Sequence, residues 1–357
     1  MVKKRLSKRT KPLDSRSPVT AQAPCRVDLA GGTVDIWPLY LFHPGAVTVN
    51  FAVNILTTCR ITPQPGNAIH LKSIDTGREE TFRDIDALCS ARKYQHPLAA
   101  YLVKFFAPQG GMKLETHSES PAGAGISGSS AMMIATTAAL ARYTGRKLSR
   151  EETRIIAQNV EAQLIKVPTG CQDYYPALYG GLSAIHLDSD GIHHESIAVP
   201  PEEIDRRFVL VYTGAPRQSG INNWEVFKAH IDGDKRVHRN FDRITEIARA
   251  MHVALANADW AEVARLLREE WKLRKTNAPG ITTPLIDRLI AAAQKNGGRA
   301  AKVCGAGGGG CVVFFVEEDA RERVAGALRG AGAQVMPFLV AREGLTVTAG
   351  SRTMKGN

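Results

Sequence analysis

The chain has 357 residues, 44% hydrophobic and 23% charged, enough for a sizeable core and two domains. Its net charge of +11 is concentrated at one end: Lys3, Lys4, Arg5, Lys8, Arg9, Lys11 and Arg16 stand against Asp14 alone, giving residues 1–17 a charge of +6. That distribution predicts a solvated basic tail over residues 1–20, argues against a nucleic-acid-binding surface on the mildly basic remainder, and suits an anionic small-molecule substrate.

No apolar run reaches the length of a membrane span, and the N-terminus lacks the apolar core of a secretory signal, so a cytoplasmic protein without membrane contact is expected. Cys25, Cys59, Cys89, Cys171, Cys304 and Cys311 form no C-x-x-C pair and no cysteine and histidine set at zinc spacing. They read as reduced thiols in the core.

In chain order, Ala23 to Leu29 reads as a strand running into Ala30-Gly-Gly-Thr-Val-Asp35. The glycine pair lets backbone approach something small. Asp35 either accepts from a ligand hydroxyl or caps the next turn, and Asp28 reads as local. Ala46 to Thr62 alternates β-branched and apolar residues, as one long strand or two, and Gly66, Asn67 and Gly77 mark hairpin turns. The spacing then predicts helix over 85–106 and a strand over 111–119.

That strand leads into Pro121-Ala-Gly-Ala-Gly-Ile-Ser-Gly-Ser-Ser-Ala131 and a dozen mostly apolar residues. Without Cβ atoms, Gly123, Gly125 and Gly128 can take left-handed angles and turn several N–H groups toward one anion. Ser129 and Ser130 fall where a helix begins, at the positive end of its dipole. A dinucleotide fold would need an acid closing a strand near 144–152, where the chain has a turn and a helix start. A Walker A loop would need a Lys, and a protein kinase would need His-Arg-Asp and Asp-Phe-Gly; all are missing. A nucleotide phosphate fits, with a plain helix-starting turn as the alternative.

Beyond this helix, Gly145 suits a C-cap, and Ser149 with Glu152 forms a capping box. Ile156, Val160 and Leu164 make an apolar stripe with Glu161 at its border, either facing partly inward or exposed. Pro168 and Gly170 end that helix and place Asp173 in a short loop among Tyr174, Tyr175 and Gly180, as a positioned carboxylate. Strands follow at 183–187 and 208–212, then helical stretches at 222–256, 260–275 and 283–295. A strand, the run Gly305-Ala-Gly-Gly-Gly-Gly310, a second strand ending at Phe315, a helix over 319–328 and a strand near 335–341 complete the pattern. Four successive glycines lose much chain entropy on ordering, which implies close backbone approach to a ligand or to the first cradle; a flexible hairpin is the alternative.

Taken together, Ala23 to Asp35, Pro121 to Ala131 and Lys302 to Cys311 resemble motifs 1, 2 and 3 of the GHMP kinases, over about residues 21–345. Within that superfamily, which includes galactokinase, homoserine kinase, mevalonate kinase and phosphomevalonate kinase, the chain is most similar to D-glycero-D-manno-heptose 7-phosphate kinases. The similarity rests on Gly31-Gly-Thr-Val-Asp35, Gln172 to Gly181, Tyr212 to Ser219, Trp271 to Lys275 and the glycine run. Cys25 stands where many relatives have Gly, and the first motif lacks the usual Gly-Gly-Gly-Thr-Asp order; both departures bear on the acceptor rather than the chemistry. The resemblance implies an α+β fold of two domains, 21–205 and 206–357, with the active site in the cleft between them. It leaves a homodimer open.

The resemblance also implies ATP-dependent transfer of the γ-phosphate to a sugar hydroxyl, first the anomeric hydroxyl of D-glycero-D-manno-heptose 7-phosphate. Galactose, fucose, a uronic acid or mevalonate are the other acceptors, and a kinase-like sugar sensor is the non-enzymatic alternative. By the same resemblance Pro121, Gly123, Ala124, Gly125, Ile126, Ser127, Gly128, Ser129 and Ser130 bind ATP, and Ser130 and Glu161 bind Mg²⁺. Asp173 is the general base, with Arg26 as the cation beside it that offsets charge on the transferred phosphoryl group. Gly31, Gly32, Thr33, Asp35, Asp173, Arg217, Gly307 and Gly308 meet the acceptor. Arg217, Lys272, Arg274 and Lys275 are nominated for a phosphate at the far end of the sugar.

Overall fold

The computed structural model describes residues 17–216, 219–305 and 307–350. Two strands come first, β1 (Val19–Ala30) and the long β2 (Ala46–Gln64), joined through a 3-10 turn at Leu39–Phe42. The hairpin β3 (Ile69–Ser73) and β4 (Glu79–Phe82) follows, then α1 (Ile85–Ser90) and α2 (Pro97–Phe106). The helical pattern over 85–106 divides because Pro97 has no N–H to donate and therefore starts a helix rather than continuing one.

Next, β5 (Gly111–Ser118) delivers the chain to α3 (Gly128–Tyr143) and α4 (Arg150–Ile165). Helix α4 starts on the expected capping box, Ser149 and Glu152 each accepting from the other's N–H. After α5 (Tyr174–Tyr179) come the hairpin β6 (Leu182–Asp188) and β7 (Gly191–Ser196), α6 (Pro201–Arg207) and β8 (Phe208–Tyr212). The helical stretch expected over 222–256 is two helices, α7 (Ser219–Ile231) and α8 (Lys235–Ala256), since Gly233 is left-handed and Asp234 caps the second. The chain closes with α9 (Trp260–Arg274), α10 (Pro284–Gln294), β9 (Gly298–Val303), β10 (Cys311–Val316), α11 (Arg321–Gly330), β11 (Gln334–Met336) and β12 (Thr346–Ala349).

The larger sheet runs β12-β1-β2-β5-β3-β4, with β6 on the other half of β2 and β7 beyond it. Its length lets β2 serve both neighbours, residues 57–64 pairing with β5 and 46–51 with β6. Helix α3 packs on β1 and β2 and is buried all round from Ser130 to Ala141, its Ala, Ser and Thr side chains allowing close approach. The smaller sheet, β11-β8-β10-β9, is covered by α10 and α11. Helices α8 and α9 form the layer between the units, α8 against β1 and β2 and α9 against β9.

The chain end departs from the expected C-terminal unit of 206–357. Val340 bridges to Val53 and β12 pairs with β1, so residues 340–349 edge the first sheet. The exposed backbone of β1 needed a partner on that side, and an edge strand is satisfied most simply by another strand.

Candidate active site

On β1, Arg26 and Asp28 share one face while Cys25, Val27 and Leu29 point into the core, as the two-residue period of a strand requires. Irregular pairing at Pro24/Cys25 and Asp28/Ala30 brackets the two charges. The Nε and Nη2 of Arg26 both donate to Asp173 Oδ1, at 2.9 and 2.6 Å, and its Nη1 donates to the Gly125 carbonyl at 2.9 Å. Asp173 Oδ2 is left without a protein partner among the described residues. Burial works against the Arg26 charge, but Asp173 and Asp28 outweigh it and hold its pKa above the usual value.

Gly123 and Gly125 are left-handed, as the loop sequence suggested. Gly128 is not. Its missing side chain instead makes room for Ser120, whose Cβ would lie 3.1 Å from one added there, and Ser127 takes the left-handed angle. The first helical bond runs from Ala131 N–H to the Ser127 carbonyl, leaving the amides of Gly128, Ser129 and Ser130 without an intrahelical partner. Ser130 donates to Glu161 Oε2 at 3.0 Å, and the Tyr174 hydroxyl donates to the same oxygen at 2.7 Å. Burial pushes the Glu161 carboxyl above its ordinary value. Of the two sequence alternatives for Glu161, the inward one holds. Two buried oxygen donors facing one cavity suit a hard cation such as Mg²⁺, whose charge would offset that burial.

Asp35 is buried, and its Oδ2 accepts from Gln172 N–H at 2.9 Å. Gly170 is required here, because a Cβ would sit 2.1 Å from that oxygen. Burial, with Asp173 and Asp28 nearby, pushes the Asp35 carboxyl up to about 7. Gly31 packs its backbone on Val47 at a φ of +88°, and Thr33 is left-handed as well.

Asp28 is not local. Lys302 Nζ donates to Asp28 Oδ2 at 2.9 Å and to Glu270 Oε1 at 3.1 Å, with all three side chains fully buried. Burial opposes the Asp28 charge, but Lys302, Arg274 and Arg26 hold its carboxyl below the usual range. Arg274 pairs with Glu270 and donates to Gly32 O and Thr33 Oγ1, so it secures the Gly31–Thr33 loop rather than standing free for a phosphate. Lys272 on α9 and Lys275 just past its end are exposed and line no part of the cavity. Arg217 lies outside the described residues.

The glycine run meets the cradle. A Cβ on Gly310 would lie 2.6 Å from the Ala124 carbonyl, which accepts from Cys311 N–H. Gly307 and Gly308 pack instead on Ile281, away from the acceptor position expected for them, and Gly305 reaches the cavity. That cavity encloses about 140 Å³ and is lined by Arg26, Asp28, Gly32, Thr33, Asp35, Ser129, Ser130, Glu161, Asp173 and Arg274, among others. A second, of about 370 Å³, lies across the 121–129 loop, with Asp75, Arg78, Gln95, Leu98, Ser118 and Met132 in its wall. Ser129 borders both.

The family model for the GHMP kinases N terminal domain matches residues 91–181, and that for the GHMP kinases C terminal matches residues 251–334. The chain belongs to the GHMP kinases. Among the relatives of this GHMP kinase, D-glycero-alpha-D-manno-heptose 7-phosphate kinase of Campylobacter jejuni is 26% identical over 92% of this chain and 98% of that enzyme. Galactokinase of Pyrococcus furiosus is 23% identical over 87% and 93%. The solved structure of a D-glycero-D-manno-heptose 1-phosphate kinase from Bacteroides thetaiotaomicron superposes with a TM-score of 0.74 at 23% identity, over 92% of this chain and 98% of that one. The two-domain α+β fold is thus the GHMP kinase fold.

Sequence reasoning about this GHMP kinase missed Tyr174, Glu270, Lys302 and the second cavity. A lysine between Ala301 and Val303 in an apolar strand was the available sign of a buried pair.

Proposed function

We propose that this GHMP kinase is an ATP-dependent sugar kinase that phosphorylates the anomeric hydroxyl of D-glycero-D-manno-heptose 7-phosphate. The observation that carries this reading is the meeting of Arg26, Asp35, Ser130, Glu161 and Asp173 in one cavity at the mouth of the glycine cradle. The full-length similarity to the Campylobacter jejuni enzyme supports the choice of sugar.

In this reading the second cavity takes the nucleoside, and the free amides at the start of α3 receive the β- and γ-phosphates at the positive end of the helix. Asp173 Oδ2 accepts the proton of the anomeric hydroxyl as its oxygen attacks the γ-phosphorus and ADP leaves. Arg26, bound to the other Asp173 oxygen, fixes the carboxylate and places positive charge beside the transferring group. Asp35 bonds sugar hydroxyls. Ser130 and Glu161 would hold Mg²⁺, which when bound neutralises phosphate charge. The protein contributes position and electrostatics, with no covalent intermediate.

The test is ADP release from the purified chain with ATP and Mg²⁺ over D-glycero-D-manno-heptose 7-phosphate, galactose, fucose, glucuronate and mevalonate. The heptose phosphate is expected to lead in kcat/KM, and ³¹P NMR should show a new anomeric phosphate. Preference for any other acceptor would reassign the substrate. Asp173→Asn should lower single-turnover phosphoryl transfer by about 10²–10⁴-fold, the range of general base catalysis, at unchanged ATP affinity; near-normal turnover would remove Asp173 as the base.

A further inference from the structure

A second set of chemically active side chains lies outside both cavities. His43, just before β2, His230 near the end of α7 and His238 in the first turns of α8 each bring a ring nitrogen within 4.8 Å of the others. His43 lies 187 positions before His230, so the three form no motif at zinc spacing. His43 and His230 are each only 2% exposed, and Phe42 and Phe241 stack or edge against His230 and His43.

Hydrogen-bond partners fix where the protons sit. A carboxylate can only accept, so the 2.7 Å contact between His43 Nδ1 and Asp242 Oδ1 places the proton on Nδ1 and a lone pair on Nε2. A carbonyl can only accept, so His238, whose Nε2 lies 2.9 Å from the His230 carbonyl, carries its lone pair on Nδ1. His230 can then reach His43 Nε2, 2.8 Å away, only by donating from its own Nε2. Its Nδ1 is left buried with no hydrogen-bond partner among the described residues. Each of the three imidazoles thus offers one unprotonated nitrogen inside a partly aromatic shell.

We propose that His43, His230 and His238 bind a single divalent transition-metal ion of the zinc class, with Asp242 orienting His43. Neutral imidazoles are ligands for such ions, and a carboxylate on the outer nitrogen of a ligating histidine is the usual supporting contact. Tetrahedral zinc with bonds of about 2.0–2.1 Å sets its nitrogens roughly 3.4 Å apart. His230 stacks on His238 with ring centroids 3.8 Å apart and meets His43 through its protonated Nε2, so binding requires the His230 ring to turn until its free Nδ1 joins the other two nitrogens. The donor set differs from the oxygen pair Ser130 and Glu161, and no histidine of the set lines either cavity. Because His43 belongs to the first unit and the other two to the α7–α8 pair, the ion would tie that helical pair to the start of β2.

The full-length protein, stripped with chelator and kept in excess Mg²⁺ to saturate oxygen sites, is titrated with Zn²⁺ against a chromogenic competitor. One equivalent is expected to bind to wild type, to be lost in the His43→Gln/His230→Gln variant, and to bind about 10–100-fold more weakly in Asp242→Asn. It should persist in His186→Gln/His252→Gln, which removes an exposed set with Glu195. Equal zinc binding by wild type and the His43→Gln/His230→Gln variant would overturn the proposal, as would loss of the equivalent in His186→Gln/His252→Gln. Since the buried variant can misfold, Co²⁺ is also added to wild type: an intense tetrahedral visible spectrum supports the site, and a pale octahedral one refutes it.

Discussion

Asp35 shows how one buried side chain ties stability to pH. Its carboxyl, raised to about 7 by burial, holds a proton in the folded protein that the unfolded chain releases near pH 4. The folded state therefore binds more protons between those values, and this group's contribution to stability declines as pH rises from about 4 through 7. Asp35→Asn, which keeps the shape without the titration, should gain stability relative to wild type as pH rises over that interval. Urea midpoints of both proteins at pH 4.5, 6 and 8 check this, and a constant difference would show that Asp35 does not titrate there. The same residue needs Gly170, since any larger side chain at 170 would occupy the space of its carboxylate.

At the scale of elements, the informative pieces are loops that lack side chains. Gly310 has a φ of +77° and lies against the Ala124 carbonyl, so Gly310→Ala introduces both strain and a clash where the two glycine loops touch. A loss of at least about 1–3 kcal/mol is expected, with a higher KM for ATP because the cradle itself must shift. Gly326, inside α11 with open space at its Cβ position, is the matched control. Gly326→Ala should stabilise by about 0.5–1 kcal/mol. Urea unfolding and ATP titration of both variants check the pair; a tolerated Gly310→Ala would mean that the loops are not in contact.

At the scale of the whole molecule, the units are joined by charge as well as by apolar packing. Lys302 on β9 and Glu270 and Arg274 on α9 reach Asp28 and the Gly31–Thr33 loop from the other unit, all from buried positions. Removing the central cation takes the hydrogen-bond partner from buried Asp28 and leaves Glu270 paired with Arg274 alone in a low-dielectric interior. Lys302→Met is expected to lower stability by about 3–5 kcal/mol, the range for breaking one side of a buried ion pair. A change within about 0.5 kcal/mol in denaturant unfolding would show that water already reaches the network.

Much of this architecture was legible locally. Glycine spacing at 123–128 and 305–310, the capping box at Ser149 and Glu152, and the alternation along β2 each follow from a few neighbouring residues, because backbone angles, end caps and strand faces are set at short range. The resemblance of three ordered motifs gave the family. Short-range rules could not show that Asp28 meets Lys302 across 274 positions, that Ser127 rather than Gly128 takes the left-handed angle, that the chain end returns to β1, or that His43 faces His230. Those pairings depend on which elements the fold lays side by side. Burial then decides the chemistry, since a carboxylate, lysine or imidazole out of water is governed by the groups that topology places against it.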